Sequence, residues 1–317
     1  MLQLSFGRIY QYYSPKWVIV INVAIFEIGS IVCAAAPSSK ALIIGRVVTG
    51  IGGAGVPPGA FILISYLVPM KDRPKYLGSL GSVFGITSIL GPILGGYLTS
   101  VTWRWCFWIN LPVGGVSMVL LALLTPKCRP PVKRAATWKG KILDLDPLGF
   151  ILIAPCLICL LLAIQFGGKQ YSWRSGVVVA LFVLAGVFGI AFTVSQIWRG
   201  ENGTMPPRIL LQRSILSGAI ASIGIGSVLV LFAFYLPIWF QVIQGKSPQN
   251  SGLALIPLLL SVVFAVIVSG IFASAVGYYA PSLIVGAAIT VVGAGLVSTW
   301  TADVGSAIWI GYQVCWE

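Results

Sequence analysis

Residues 85–96 read Gly85-Ile-Thr-Ser-Ile-Leu-Gly-Pro-Ile-Leu-Gly-Gly96, an apolar run that carries four glycines and a proline. In an ordinary helix interior glycine costs about 1 kcal/mol and proline about 3 kcal/mol relative to alanine. Inside a bilayer a helix gains nothing by burying leucine against another helix, and close association depends on small residues that let backbones touch. Gly91 and Gly95 stand four apart on one face, with Pro92 beside them and Gly96 following. The proline removes one backbone hydrogen bond and can bend the helix there. The stretch is expected to be a hinge and seal in a membrane helix, with tight packing alone as the bland alternative.

The rest of the chain supports a bilayer setting. Of 317 residues, 58% are hydrophobic and 9% charged, whereas soluble domains carry roughly a quarter charged residues. Apolar runs of about 20 residues, the length that crosses a hydrocarbon core, occur nine times: 17–36, 41–68, 76–98, 105–124, 147–166, 175–197, 215–243, 252–276 and 282–300. The fold class is therefore all-α and polytopic, with almost no chain left for a soluble domain.

Lys and Arg set the orientation, because they concentrate on the cytoplasmic side of membrane proteins. With the N-terminus inside, 14 of the 20 basic residues fall on the cytoplasmic side and 5 on the other, with Arg46 inside a span. This split accounts for the formal charge of +13. The basic residues flank spans and do not cluster with stacking aromatics, so no nucleic-acid partner is expected. The Asn202-Gly-Thr204 sequon falls on the cytoplasmic side and is expected to be unglycosylated.

The residues that enzymes need are scarce. There is no histidine, and the seven acids are Glu27, Asp72, Asp144, Asp146, Glu201, Asp303 and Glu317, of which only Glu27 falls clearly within a span. Membrane oxidases and metalloproteases that use histidine ligands are excluded, so no enzyme activity, metal or cofactor is expected. Cys156 and Cys159 have redox-motif spacing but lie within the fifth span, where small core residues are the simpler reading.

Four regions follow from the connectors. Residues 1–125 form an incomplete first bundle, 126–146 a basic cytoplasmic linker, 147–197 a helix pair, and 198–317 the opening of a second bundle. Both ends look cut, since 6–10 reads like the end of one span and 308–316 like the start of another.

Two charges lie at membrane depth. In 42–58, Gly45, Thr49 and Gly53 recur at four-residue spacing, with Gly50 and Arg46 among them. If the helix begins near Ser39, Arg46 is roughly 10 Å into it at about 1.5 Å per residue. An unpaired charge there costs about 2.5–3.5 kcal/mol on insertion scales. Arg46 must then face a wet cavity or an acidic partner and can organise substrate or proton movement; a snorkelling surface arginine is the alternative. Glu27, near the middle of the first span, could pair with Arg46, titrate as a proton carrier, or stay protonated in a packed interface.

These stretches, together with Trp103-Arg-Trp-Cys-Phe-Trp-Ile-Asn-Leu-Pro-Val-Gly114, resemble the major facilitator superfamily, specifically fungal members of its 14-helix drug:proton antiporter branch. Residues 42–55 look like the family's arginine-bearing fourth helix, with Thr49 where a glutamine is usual. Gly91-Pro-Ile-Leu-Gly-Gly96 is similar to the antiporter motif of the fifth helix. Trp103, Arg104, Trp105, Asn110 and Pro112 carry the stretch typical of the 14-helix branch. Residues 7–17 resemble a weakened loop motif: Gly7 and Lys16 match, but Gln11 stands where an aspartate is expected. By this likeness the nine spans correspond to helices three to eleven of fourteen, and 147–197 is the extra pair of that branch.

The resemblance implies a major-facilitator-type bundle and a proton-coupled exporter of small, largely apolar organic compounds, a fungal secondary metabolite or toxin, in the plasma membrane. Its partners would be the substrate, protons and the lipid bilayer. A membrane potential of about 150 mV contributes roughly 3.5 kcal/mol per proton, and one pH unit about 1.4 more. At about 1.4 kcal/mol per tenfold, one proton sustains a gradient of roughly a thousandfold. A cavity lined by Arg46 and aromatics such as Tyr235 and Trp239 fits this expectation. The competing readings are a truncated, transport-inactive relative and a facilitator or uptake carrier for a small solute.

Overall fold

The computed structural model describes residues 2–126, 145–278, 280–300 and 304–314. The described chain is helical, with a single isolated bridge between Gly167 and Tyr171. By length and apolarity, eight segments among the described residues can cross a membrane: Pro15–Ala34, Ser39–Leu67, Trp105–Leu124, Pro147–Phe166, Gly176–Arg199, Arg213–Val242, Asn250–Val276 and Ala280–Ser298. The sequence leads to an expectation of nine. The remaining one, 76–98, falls within the 29-residue helix Arg73–Val101, of which the side chains at 88, 89, 92, 93, 96 and 100 lie outside the described residues. Most of the expected basic linker, 127–144, and the chain end, 315–317, lie outside them as well.

The described chain forms two compact units. The first comprises Met1–Ile62 with Leu111–Gly218, and the second Leu63–Asn110 with Ala219–Glu317. In the first unit α1 (Leu2–Tyr12) leads into α2 (Pro15–Ala34), which starts with proline at its first position, where the missing N–H costs nothing. Next comes α3 (Ser39–Leu67), whose first 24 residues belong to this unit. Small residues set the approach of α3 to α2: a Cβ built on Gly52 would overlap the Phe26 backbone, one on Gly29 the Thr49 backbone, and one on Gly55 the Asn22 side chain.

The first unit also holds most of α6 (Asn110–Leu124), and α7 (Pro147–Phe166) packed along α8 (Gly176–Arg199). Ser175 caps α8 by accepting from the Val178 N–H at 3.4 Å. At the other end Arg199 sits in the last turn, where a cation suits the helix dipole. Cys156 of α7 donates to the Ala185 carbonyl of α8 at 3.2 Å, and both Cys156 and Cys159 are free thiols.

The second unit contains α4 (Arg73–Val101) and the short α5 (Trp105–Trp108). After the short α9 (Pro207–Leu210) of the first unit comes α10 (Arg213–Val242), most of which belongs to the second unit with α11 (Pro248–Leu253), α12 (Ile256–Val276), α13 (Ala280–Ser298) and α14 (Ser306–Val314). Its core joins Leu236 and Phe240 to Leu255, Leu258, Leu259 and Trp309. Elsewhere large apolar side chains point outward along the spans, such as Leu123, Phe264 and Val291, as helices in contact with lipid tails require.

Candidate transport site

The two helices that carry the membrane-depth charges are α2 and α3. Thr49 donates to the Gly45 carbonyl at 2.7 Å and lies 3.9 Å from the Cys33 thiol, so Gly45 and Thr49 sit on the face of α3 that meets α2. A Cβ on Gly53 would make only ordinary contact with the Phe26 ring, 3.6 Å away. Gly45 is tight, a Cβ there lying 2.6 Å from the Cys33 sulfur, and tighter still are Gly59 against the Tyr10 hydroxyl, Gly55 against Asn22 and Gly52 against Phe26, three positions the four-residue spacing does not single out. Gly50 is open, and Arg46 is exposed.

Glu27 is 9% exposed, and both of its carboxyl oxygens are buried without a hydrogen-bond partner. It therefore makes no hydrogen bond to Arg46, one of the arrangements open from the sequence. Its carboxyl lies against the α6 backbone at Gly114, where an added Cβ would overlap it.

On α4 the glycines divide into two sets. Gly78, Gly81 and Gly85 face α12: a Cβ at Gly78 would lie 3.0 Å from the Val266 carbonyl oxygen, one at Gly81 2.6 Å from the Val266 side chain, and one at Gly85 2.5 Å from Val263. Gly91 and Gly95 have no described atom within 4 Å of such a Cβ. Among the described side chains, the close packing of the α4 glycines thus starts upstream of the Gly-Pro motif and shares Gly85 with the stretch expected to form the seal. The side chains of Pro92 and Gly96 lie outside the described residues.

The residues of the expected loop motif take part in a polar assembly. Lys16 is buried and donates to the Thr125 carbonyl at 2.6 Å, tying the start of α2 to the end of α6. Arg8 is buried too, and donates to the carbonyls of Glu201 at 2.9 Å and Gly203 at 2.5 Å. Gly7 and Gln11 line a cavity of about 570 Å³ beside it, together with Thr204 and Arg208.

Asp146 fixes the other side of this assembly. It is fully buried and caps α7 through the Gly149 N–H at 2.9 Å. It also accepts from Gln196 at 2.7 Å, from Arg199 at 2.5 Å, and from both the backbone N–H (3.1 Å) and the hydroxyl (2.8 Å) of Thr204. Its φ of +52° is the one positive value at a described non-glycine residue. Burial pushes its carboxyl up, but the hydrogen bonds from Gln196, Gly149 and Thr204 outweigh it and hold the group well below the usual carboxylate range.

Because that shift is downward, the stabilisation is fully present above the unfolded-state value, about pH 4. It fades progressively as the pH falls from there and is gone once the pH is below the folded-state value. Wild-type protein should therefore unfold at the same temperature from neutral pH down to about pH 5 as far as this group is concerned, and an Asp146→Asn variant should lose its deficit relative to wild type in stronger acid. Thermal melts of both proteins across pH check this.

Sequence reasoning recorded Asp146 only as an acid outside the spans. The signal was an aspartate directly before a proline that opens an apolar run, the pattern of a helix N-cap.

The branch-signature residues lie at the α5–α6 corner. Arg104 stacks over Trp103 at 5.1 Å, and Trp103 meets Phe107 edge to face at 6.1 Å. Trp105 and Pro112 are exposed, and Asn110 opens α6. Trp239 is packed against Phe240 and Trp300, with ring centres 5.3 and 5.0 Å away, while Tyr235 is exposed beside Phe234. No group of three or more metal-binding side chains occurs among the described residues.

Eight membrane-capable helices with small-residue faces and charges held at depth define a multi-pass α-helical membrane protein. Residues 1–316 match the Major Facilitator Superfamily, and the chain belongs to that family. It is 47% identical over 313 residues to the MFS-type efflux pump MFS1 of Arthroderma benhamiae, covering 98% of this chain and 58% of that protein. It is 45% identical over 313 residues to the rubrofusarin-specific efflux pump aurT of Gibberella zeae, covering 98% of this chain and 57% of that protein. With the efflux pump aflT of Aspergillus parasiticus the identity is 42% over 312 residues, 98% of this chain and 60% of that protein. The chain spans less than two thirds of the length of these fungal relatives.

Proposed function

We propose that this chain provides the membrane core of a proton-coupled exporter of small, largely apolar organic compounds, of the secondary-metabolite class. The observation that carries the reading is the match over 98% of the chain to fungal proteins named as efflux pumps, one of them specific for rubrofusarin. The shortage of chemistry-bearing groups supports transport over catalysis: seven acids, no histidine and no candidate metal cluster among the described residues. The protein would act in the plasma membrane with its N-terminus and Asn202 on the cytoplasmic side, as the distribution of Lys and Arg favours.

In this reading Arg46 attracts substrate or proton partners at membrane depth, while Gly45, Thr49 and Gly50 leave room for movement along α3. Gly85, Gly91, Pro92, Gly95 and Gly96 supply the hinge of α4, Gly7 and Lys16 organise the loop before α2, and Trp103, Arg104, Trp105, Asn110 and Pro112 shape the corner into α6. Residues 1–125, 126–146, 147–197 and 198–317 are its first bundle, linker, extra pair and second bundle.

The test is export of rhodamine 6G by yeast that lacks its own exporters and expresses the full reading frame encoding this chain. Dye efflux above the empty-vector level, collapsed by a protonophore, is expected, and Arg46→Ala should abolish it. Efflux equal to the vector control overturns export, and efflux indifferent to the protonophore overturns proton coupling.

A further inference from the structure

The cavity of about 570 Å³ beside Arg8 is lined by α1 on one side and by residues of 201–212 on the other. That connector joins the end of α8 to the start of α10, and α1 leads into α2, so the cavity sits where membrane-capable helices leave the hydrocarbon layer. Its volume falls in the range of ligand pockets, about 300–1,000 Å³.

Three charged side chains line it: Arg8, Arg208 and Glu201. Arg8 is 9% exposed, and both of its hydrogen bonds leave from Nη2, to the carbonyls of Glu201 and Gly203. Among the described residues no hydrogen bond leaves its Nε or Nη1, and no carboxylate pairs with it. A guanidinium holds its charge and carries five N–H donors in a fixed fork that matches phosphate. Arg8 therefore brings a charge without a counter-ion, and donors without acceptors, to the wall of a cavity. The Glu201 carboxylate pairs with Arg208 instead, at 3.0 Å, and both side chains are exposed, so the pair holds weakly and opens readily to a ligand. Leu4 and Ile209 add exposed apolar surface to the lining, with exposed Leu211 close by in the chain.

We propose that this cavity binds the headgroup of an acidic phospholipid of the phosphatidylserine type. The phosphate takes the unused donors of Arg8, the carboxylate takes Arg208, and the ammonium takes Glu201. Two anionic groups and one cationic group of the ligand then meet two cations and one anion of the protein. The acyl chains leave over Leu4 and Ile209. The distribution of Lys and Arg proposed above puts this end of the helices at the cytoplasmic leaflet, which carries the acidic lipids. A bound headgroup bridges α1 and the connector, and this binding does not depend on the exporter reading. A soluble phosphoserine-like compound offers the same charged groups without the chains, and the experiment separates the two sources.

Native mass spectrometry of the full-length protein, stripped of lipid in detergent, reads the affinities of dioctanoyl phosphatidylserine and dioctanoyl phosphatidylglycerol. The two lipids have the same net charge, but only the first carries an ammonium and a carboxylate. Wild type should bind phosphatidylserine about tenfold more tightly, the worth of one hydrogen bond to a charged group. Glu201→Gln should erase that preference. A Cβ at Gly7 meets nothing within 4 Å, so Gly7→Leu fills the cavity without displacing its wall. It should weaken phosphatidylserine binding about tenfold or more and leave the unfolding temperature of the lipid-free protein unchanged. Glycerophosphoserine should displace the lipid only at large excess.

Equal affinities of the two lipids for wild type overturn the site. So does a preference that survives Glu201→Gln, or phosphatidylserine binding that is unaltered in folded Gly7→Leu, since either places the lipid elsewhere. Displacement by glycerophosphoserine at equal concentration overturns the lipid source and assigns the cavity to a soluble compound.

Discussion

Replacing Asp146 by alanine is expected to destabilise the protein by about 3–5 kcal/mol, the range for breaking a buried ion pair by removing one partner. The figure follows from what the carboxylate leaves behind. Arg199 would keep its charge in a site that leaves its side chain 16% exposed, and Gln196, the Gly149 N–H and two groups of Thr204 would lose their acceptor. Those bonds join the start of α7, the end of α8 and the segment after it, which Arg8 grips from the other side. The loss should therefore spread beyond one helix cap. Thermal unfolding in detergent measures it, with Arg208→Ala as a control because its ion pair with Glu201 is exposed and surface pairs contribute about 0–1 kcal/mol. Equal unfolding temperatures for Asp146→Ala and wild type would remove the knot from the account.

Gly52→Val should disrupt the α2–α3 pair, at a cost of about 3 kcal/mol or more, the upper end for overpacking. A Cβ there would lie 2.6 Å from the Asn22 carbonyl oxygen and 2.8 Å from the Phe26 Cα. These are backbone atoms in the middle of a helix and cannot turn aside as a side-chain end would. The helices would have to separate, and every close contact from Gly29 to Gly59 would loosen with them. Gly50→Val is the matched control, since a Cβ at Gly50 meets nothing within 4 Å. The yield of monodisperse protein after extraction should fall sharply for Gly52→Val and stay near wild type for Gly50→Val. Similar yields for both would mean that α2 and α3 do not pack as described.

The glycines show why part of the site was legible and part was not. A small-residue helix face can be recognised from four-residue spacing alone, and Gly45 with Thr49 was found that way. Spacing cannot say which of several glycines touches a neighbour. On α3 the close contacts fall at Gly45, Gly52, Gly55 and Gly59 while Gly53 makes only ordinary contact, and on α4 they fall at Gly78, Gly81 and Gly85, with Gly91 and Gly95 open. Asp146 and Arg8 were passed over for a related reason: each looks like an ordinary charge in a connector until the carbonyls and side chains it binds are in place.

The sequence by itself determined that the protein is a multi-pass helical membrane protein of the Major Facilitator Superfamily. Those properties depend on composition, on the length of apolar runs and on motifs contiguous in the chain. It also placed Glu27 at membrane depth, because depth is a count of residues along one helix. Only the tertiary structure decided that Glu27 meets Gly114 without a hydrogen-bond partner, and that Asp146 gathers partners up to 58 residues away. Whether a buried charge is paired depends on atoms brought together from distant parts of the chain, and no local pattern encodes that meeting.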